Sequence, residues 1–320
     1  MSTLFAAVVF SLGAQNVTLT DLSLKKLQSY PYRASPLLIT SLASQTGEYY
    51  AYNFSYTSMG LTVTGRFGLP RRESGALKGI ILMLRGHQHP QGYYTGKGTE
   101  YPARRYMQNG YAVIAPDFFG YAGSSPAPSP EEAHQLYSTI NAVELYLSLA
   151  SPSFSYAASV PAADRAVLPS AFKKIVMWGH SNGGQVALHL LEVTGKPIPT
   201  VLWAPVSLDF PDSVAHYQKN RAAWVEAFKK NYPAADYSLR NYLGAIAPGT
   251  PILLEQGTKD LAVPKAWSDA LSAAIGAENN SRQAREKIIL DYKVYTGANH
   301  NLSPFWDTAL PADVRFWDSH

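Results

Sequence analysis

Residues 173–191, KKIVMWGHSNGGQVALHLL, constrain the fold more than any other part of the chain. The apolar run at residues 175–178 has the length and composition of a buried strand, and the residues from Gln185 onward have the apolar spacing of a helix. Between them lies the pattern G-x-S-x-G, centred on Ser181. A strand, this pattern and a helix in succession are typical of a nucleophile elbow, in which a serine hydroxyl lies exposed on a sharp, strained turn. The competing interpretation is a plain glycine-rich loop, which the flanking elements disfavour.

Other apolar runs predict a mostly parallel central sheet that is flanked by helices. Helical patterns separate most of these runs, and a strand–helix alternation is typical of α/β folds, whose sites lie at the carboxyl ends of the strands. Strands are predicted at residues 79–84, 111–115, 175–178, 200–206, 252–256 and 288–295, of which the first three are expected to be buried, and the main helices at 103–108 and 130–149. The helix at 130–149 is expected to begin at Pro130, with Ser129 as its cap.

Two segments depart from this alternation. Residues 48–69 alternate aromatic or apolar with polar side chains around a turn at 58–60, which predicts an antiparallel hairpin before the first core strand. Residues 208–249 carry two helical, aromatic-rich stretches, at 213–231 and 235–245, and are a candidate lid above the strand ends. The alternative is an ordinary helix that packs on the sheet. Residues 21–320 are expected to form a single α/β domain.

Composition narrows the class of protein. The chain has 320 residues, of which 46% are hydrophobic and 16% charged, as expected for a globular enzyme with a large core. The net charge of +4 is scattered without a basic stripe, so no nucleic-acid partner is predicted. Cysteine is absent, which excludes disulfides and thiol catalysis. No cofactor motif is found.

The first 20 residues have features of a leader segment. Residues 4–14 are apolar and end in small side chains, although no Lys or Arg precedes them as in a typical secretory signal. This pattern favours a secreted or periplasmic location over a cytoplasmic one. No other run has the length of a membrane span.

A serine nucleophile needs a base that takes its proton and an acid that orients the base. Asp260 follows the strand at 252–256 on a tight loop, and His300 follows the strand at 288–295 on a second loop. The chain order Ser181, Asp260, His300 is the order that this architecture uses for its triad. Individually, Asp260 could cap a helix and His300 could be a surface histidine, but together they predict a catalytic set.

Four other residues are weaker candidates for these roles. Asp117 follows a strand but precedes the elbow, so we predict that it shapes its loop. Asp212 lies in the insertion and Glu255 lies within a strand, which disfavours both as the orienting acid. The side chain of His180, next to the serine, is expected to point away from the reaction.

The oxyanion of a tetrahedral intermediate needs preorganised donors. We predict the backbone N–H of Asn182 and that of His87, because Gly86 allows the loop after the strand at 79–84 to approach closely. The sequence His87-Gln88-His89 could also hold a metal ion, but it lacks further ligands at a suitable spacing, so no metal is predicted.

These segments together resemble the α/β-hydrolase superfamily, and within it the prolyl oligopeptidase-like peptidases and related serine esterases. The resemblance implies that Ser181, Asp260 and His300 form the triad, with oxyanion donors at Asn182 and at the turn of Gly86 and His87. It rests on the hairpin that leads into GIILMLRG and on YAVIAPDFFGYAGSS, GHSNGGQVAL, LEQGTKDLAVP and YTGANH.

Two departures from that family bear on the function. Arg85 stands before Gly86 where the family usually has histidine. The peptidases of this branch carry a β-propeller before the hydrolase domain, whereas only about fifty residues precede the hairpin here, too few for two blades of ~40–45 residues. We therefore predict a hydrolase of small-molecule carboxylic esters. The alternatives are a peptidase or amidase with the same triad, and a hydrolase-fold binding protein with a silent site.

Overall fold

A computed structural model describes residues 18–71, 77–129, 133–217, 219–231 and 233–320. Most of the predicted leader, residues 1–17, and the predicted helix start at Pro130 lie outside these ranges. Leu19, within the predicted leader, is buried in the core. No helix of the described ranges is apolar over a length sufficient to cross a bilayer.

The described residues form one ten-stranded sheet, in the order β10-β9-β8-β7-β4-β5-β3-β2-β1-β6. The six strands from β10 to β5 run parallel to one another, whereas β3, β2 and β1 extend the sheet by antiparallel pairing. The short strand β6 pairs in parallel with β1 at the far edge. The strands are β1 (Leu37–Gln45), β2 (Tyr49–Ser58), β3 (Leu61–Pro70), β4 (Gly79–Leu84), β5 (Tyr111–Pro116), β6 (Phe154–Tyr156), β7 (Ile175–His180), β8 (Thr200–Trp203), β9 (Pro251–Gly257) and β10 (Ile289–Tyr295).

Helices cover both faces of this sheet because successive strand residues point to opposite sides. Ile80 and Leu82 of β4 join one buried cluster, and Ile81 and Met83 join the other. The α-helices are α1 (Leu24–Leu27), α2 (Glu100–Gln108), α3 (His134–Ala150), α4 (Asn182–Thr194), α5 (Phe210–Tyr217), α6 (Ala222–Asn231), α7 (Lys265–Ser281) and α8 (Trp306–Ser319). Apolar faces of α3, α4 and α7 pack in the first cluster, and those of α2 and α8 in the second. The predicted α/β-hydrolase fold, with a mostly parallel sheet flanked by helices, is confirmed.

The predicted hairpin is confirmed as β2 and β3, which pair over their full length. Met59 and Gly60 form its turn with φ values of 52° and 76°. The sequence analysis did not predict β1, β6, α7 or α8.

The insertion at 208–249 is less helical than expected. Residues 213–231 fall in α5, a short 3₁₀ turn and α6, but the helix expected at 235–245 is wrong. Short 3₁₀ turns occupy that stretch, closed by bonds such as those from the Tyr242 N–H to the Leu239 carbonyl and from the Ala245 N–H to the Tyr242 carbonyl. Arg282 donates from Nη2 to the Leu243 carbonyl at 2.8 Å and from Nη1 to the Ile246 carbonyl at 3.0 Å.

Much of the insertion is anchored to the body of the protein. The rings of Phe210, Phe228 and Tyr237 pack together in the core, with centroids 5.7 to 6.4 Å apart. The Tyr237 hydroxyl donates to the Leu19 carbonyl at 2.8 Å. At the end of α5, the Tyr217 hydroxyl donates to the Ala262 carbonyl at 3.0 Å, two residues from Asp260. The insertion therefore reaches the loop after β9.

Candidate active site

Ser181 occupies the turn between β7 and α4. Its backbone has φ 56° and ψ −121°, a conformation that L-residues rarely adopt and that stores strain. Its N–H donates to the Trp203 carbonyl at 2.9 Å, and its carbonyl accepts the N–H of Gly184 at 2.9 Å. These bonds hold the turn between two neighbouring strands and the first residues of the helix.

Two glycines permit this packing. A side chain at Gly183 would place its Cβ 1.9 Å from the Leu84 carbonyl oxygen, so α4 can begin against β4 only with glycine there. A side chain at Gly86 would place its Cβ 3.0 Å from the Cβ of Ser181. The loop after β4 thus passes directly beside the serine, as the sequence predicted.

Asp260 lies on the loop after β9, and its side chain is fully buried. Oδ1 accepts the N–H groups of Ala262 and Val263 at 2.9 and 2.8 Å. Oδ2 accepts His300 Nδ1 at 2.8 Å. Burial alone would raise the pKa of this carboxyl, but the bonds from His300 and from the two N–H groups outweigh it and lower the pKa. Asp260 therefore remains a carboxylate and fixes the imidazole.

A side-chain relay that the sequence analysis missed supports this carboxylate. Gln256 Nε2 donates to Asp260 Oδ2 at 3.1 Å, and its Oε1 accepts the Ser268 hydroxyl at 2.8 Å. Gln256 and Ser268 are fully buried. Gln256 lies four residues before Asp260, and Ser268 lies eight residues after it. This spacing does not predict the hydrogen bonds, because they depend on how α7 packs on β9.

His300 lies on the loop after β10, with 21% of its side chain exposed. Among the described residues, His300 shares no hydrogen bond with Ser181. The loop of His300 contacts His180, the residue before Ser181. His180 Nε2 lies 3.0 Å from the His300 carbonyl oxygen, and the two rings are 4.5 Å apart. Apo sites often have such loose geometry before substrate binds.

The expected orientation of His180 is thus only partly met, since its ring contacts His300. Burial, followed by the charge of His300, lowers the pKa of His180 to about 3. The ring stays neutral and must carry its proton on Nε2 to donate to the carbonyl. We interpret His180 as a support for the loop of His300.

A cavity of about 40 Å³ lies beside this turn. His87 and Asn182, the two predicted oxyanion donors, both line it, together with Gly86. The other lining residues are Arg85, Phe118, Tyr121, His134, Gln135, Ser138 and Val186. The predicted donors are therefore neighbours in space.

The disfavoured acids have other partners. Asp117 is buried and accepts the Tyr93 hydroxyl at 2.7 Å, the Gly96 N–H at 3.0 Å and the Thr64 hydroxyl at 2.7 Å, consistent with a loop-shaping role. Glu255 accepts the Tyr295 hydroxyl at 2.6 Å inside the sheet.

Asp212 lies exposed in the first turn of α5. Across the part of the chain that is described, no three His, Cys, Asp or Glu side chains are arranged to hold a metal ion.

Comparison with known proteins decides the family. Residues 81–316 match the model of the alpha/beta hydrolase family. The chain belongs to this family. A search of curated proteins by sequence found no match.

Solved structures share the fold at low sequence identity. Acetyl xylan esterase 1 from Thermoanaerobacterium sp. JW/SL YS485 is 14% identical, with a TM-score of 0.62 over 95% of this chain and 96% of that one. Est1E from Butyrivibrio proteoclasticus, solved with ferulic acid, is 14% identical, with a TM-score of 0.57 over 83% and 98%. A puromycin-hydrolyzing peptidase from Mycobacterium tuberculosis is 15% identical, with a TM-score of 0.60 over 84% of this chain but only 39% of its own.

Proposed function

We propose that this alpha/beta hydrolase cleaves carboxylic esters through an acyl-enzyme, with Ser181, His300 and Asp260 as its triad. The observation that carries the proposal is the 2.8 Å hydrogen bond from His300 Nδ1 to the buried Asp260, on loops that adjoin the strained turn of Ser181. Esterases among the structures of the same fold support the choice of ester over other substrates.

In this mechanism the Ser181 hydroxyl attacks the ester carbonyl carbon while His300 Nε2 takes its proton. Asp260 holds the imidazole through Nδ1 and stabilises its protonated form. The N–H groups of Asn182 and His87 bind the developing oxyanion. His300 then returns the proton to the departing alcohol, and a water molecule hydrolyses the acyl-enzyme by the same route.

The test is a series of p-nitrophenyl esters, from acetate upward, on the wild-type protein and on Ser181→Ala. We expect turnover of short esters by the wild type and a loss of at least about 10⁴-fold in kcat in the variant, because no nucleophile remains. Asp260→Asn should fold normally and lose about 10³- to 10⁴-fold, since the imidazole is no longer held in the productive tautomer.

Ester turnover that survives in Ser181→Ala would refute the proposal. Cleavage of aminoacyl amides without ester turnover would favour the peptidase alternative, which the fold shared with the puromycin-hydrolyzing peptidase keeps open. Failure of the wild type to react with a fluorophosphonate would point to a silent site.

A further inference from the structure

Arg85 is a buried cation beside the candidate site, with only 4% of its surface exposed. Its guanidinium has a partner for each nitrogen. Nε donates to the Tyr93 hydroxyl at 3.1 Å, Nη1 to the Gly86 carbonyl at 3.0 Å and Nη2 to the Asp117 carbonyl at 2.5 Å. Because the guanidinium is planar and its three acceptors are fixed, only one orientation of the group satisfies all three hydrogen bonds.

Aromatic rings enclose the same group. The guanidinium carbon lies 4.0 Å from the ring centroid of Tyr121, 4.7 Å from that of Tyr93 and 5.3 Å from that of Phe118. Ring faces stabilise a cation that has lost its water. The Tyr93 hydroxyl in turn donates to Asp117 Oδ1 at 2.7 Å. Arg85 is therefore held rigidly rather than free to follow a ligand.

The contact with the Gly86 carbonyl has a consequence at the other end of the same peptide unit. In a trans peptide the C=O of Gly86 and the N–H of His87 are coplanar and point in opposite directions. A cation that fixes the oxygen therefore fixes the N–H. It also withdraws electron density from the peptide, which makes the N–H a stronger donor.

We infer that Arg85 orients and polarises the Gly86–His87 peptide so that the His87 N–H binds the oxyanion of the reaction. This inference rests on the proposed function. Two observations support this role of the His87 N–H. His87 and Asn182 line the same cavity, and Gly86 closely approaches Ser181. Arg85 is thus a positioning residue, because each of its three side-chain nitrogens already donates to a protein acceptor.

The test compares three full-length variants, Arg85→Lys, Arg85→Met and Tyr93→Phe. Arg85→Met should lower kcat for p-nitrophenyl acetate by about 10- to 100-fold while KM stays within about threefold, since the lost interaction acts on the transition state. Affinity for a short alkyl boronic acid, which forms a tetrahedral anion on the serine, should fall by the same factor. The kcat of Arg85→Lys should lie between those of Arg85→Met and the wild type, because lysine keeps the positive charge but not the planar group.

Tyr93→Phe is the matched control, because it removes the Nε contact and a bond to Asp117 but leaves the Gly86 contact in place. Its kcat should remain within about threefold of the wild type, even if its Tm falls as much as that of the Arg85 variants. If Tyr93→Phe and Arg85→Met lost kcat equally, and in each variant the loss of kcat matched the fall in Tm, the inference would be overturned. Arg85 would then have a purely structural role.

A second measurement needs no variant at Arg85. In the ¹⁵N-labelled wild type, boronic acid binding should move the amide proton of His87 downfield as strongly as that of Asn182. An unmoved His87 resonance would overturn the inference. Wild-type esterase activity that Ser181→Ala fails to remove would instead refute the proposed function, so the two failures are distinct.

Discussion

At the scale of single residues, the bond between His180 and the His300 carbonyl is open to direct test. His180→Phe keeps a ring between Trp178 and His300 but removes the donor to that carbonyl. The loop of His300 would then be positioned less well, and we expect kcat for short esters to fall by about 10-fold, because small displacements of reacting groups are costly.

Trp178→Phe is the control for His180→Phe, since it alters the packing on the other side of His180 and leaves the donor in place. Steady-state kinetics and thermal unfolding of both variants distinguish the loss of the hydrogen bond from the change in packing. Equal kcat in His180→Phe and the wild type would show that the hydrogen bond does not position the loop.

At the scale of elements, the start of α4 against β4 depends on Gly183. Gly183→Ala would bring a Cβ to 1.9 Å from the Leu84 carbonyl oxygen, and the helix would have to move away from the strand. We expect a loss of about 3 kcal/mol or more in the free energy of unfolding, at the upper end for overpacking. Denaturant unfolding measures this loss.

Gly276→Ala provides the matched substitution in another helix. Gly276 lies in α7, and a Cβ there would meet no atom within 4 Å. Alanine should therefore stabilise the protein by up to about 1 kcal/mol through helix propensity. Similar changes in both variants would contradict the steric account of Gly183.

The sequence predicted those elements whose local pattern is strong. Most strands of the parallel part of the sheet are apolar runs, although the edge strand β10 contains Asp291 and Lys293. The hairpin alternates clearly around its turn. By contrast, β1 contains two register shifts relative to β2, which break its alternation, and β6 has only three residues. The roles of Arg85 and Gln256 were not predictable, because their partners come from distant loops and helices.

At the scale of the whole molecule, Glu192 of α4 links stability to pH. Its side chain is buried, and neither carboxyl oxygen has a hydrogen-bond partner within the described ranges. Burial raises the pKa of Glu192 well above its usual value. As pH rises above about 4.5, the unfolded chain releases this proton while the folded protein retains it. The stabilising contribution is therefore present at low pH and is lost as pH rises through the folded-state pKa.

Glu192→Gln removes this titration while keeping the shape of the side chain. The Tm of the variant relative to the wild type should increase between pH 5 and pH 8, by about 2–4 °C for each 1 kcal/mol involved. Glu226→Gln, at a side chain that is 77% exposed, should show no such trend. Parallel pH profiles for Glu192→Gln and the wild type would contradict the prediction.

The approach of Gly86 to Ser181 also limits how this protein could be engineered toward bulkier substrates. The wall of the cavity at position 86 is main chain, and any side chain added there approaches the Cβ of Ser181 to 3.0 Å. Mutant libraries cannot gain room on that side. Among the apolar lining side chains, Phe118, Tyr121 and Val186 could be truncated to enlarge the cavity, but the rings of Phe118 and Tyr121 also enclose Arg85. Val186 is therefore the position from which selection should begin.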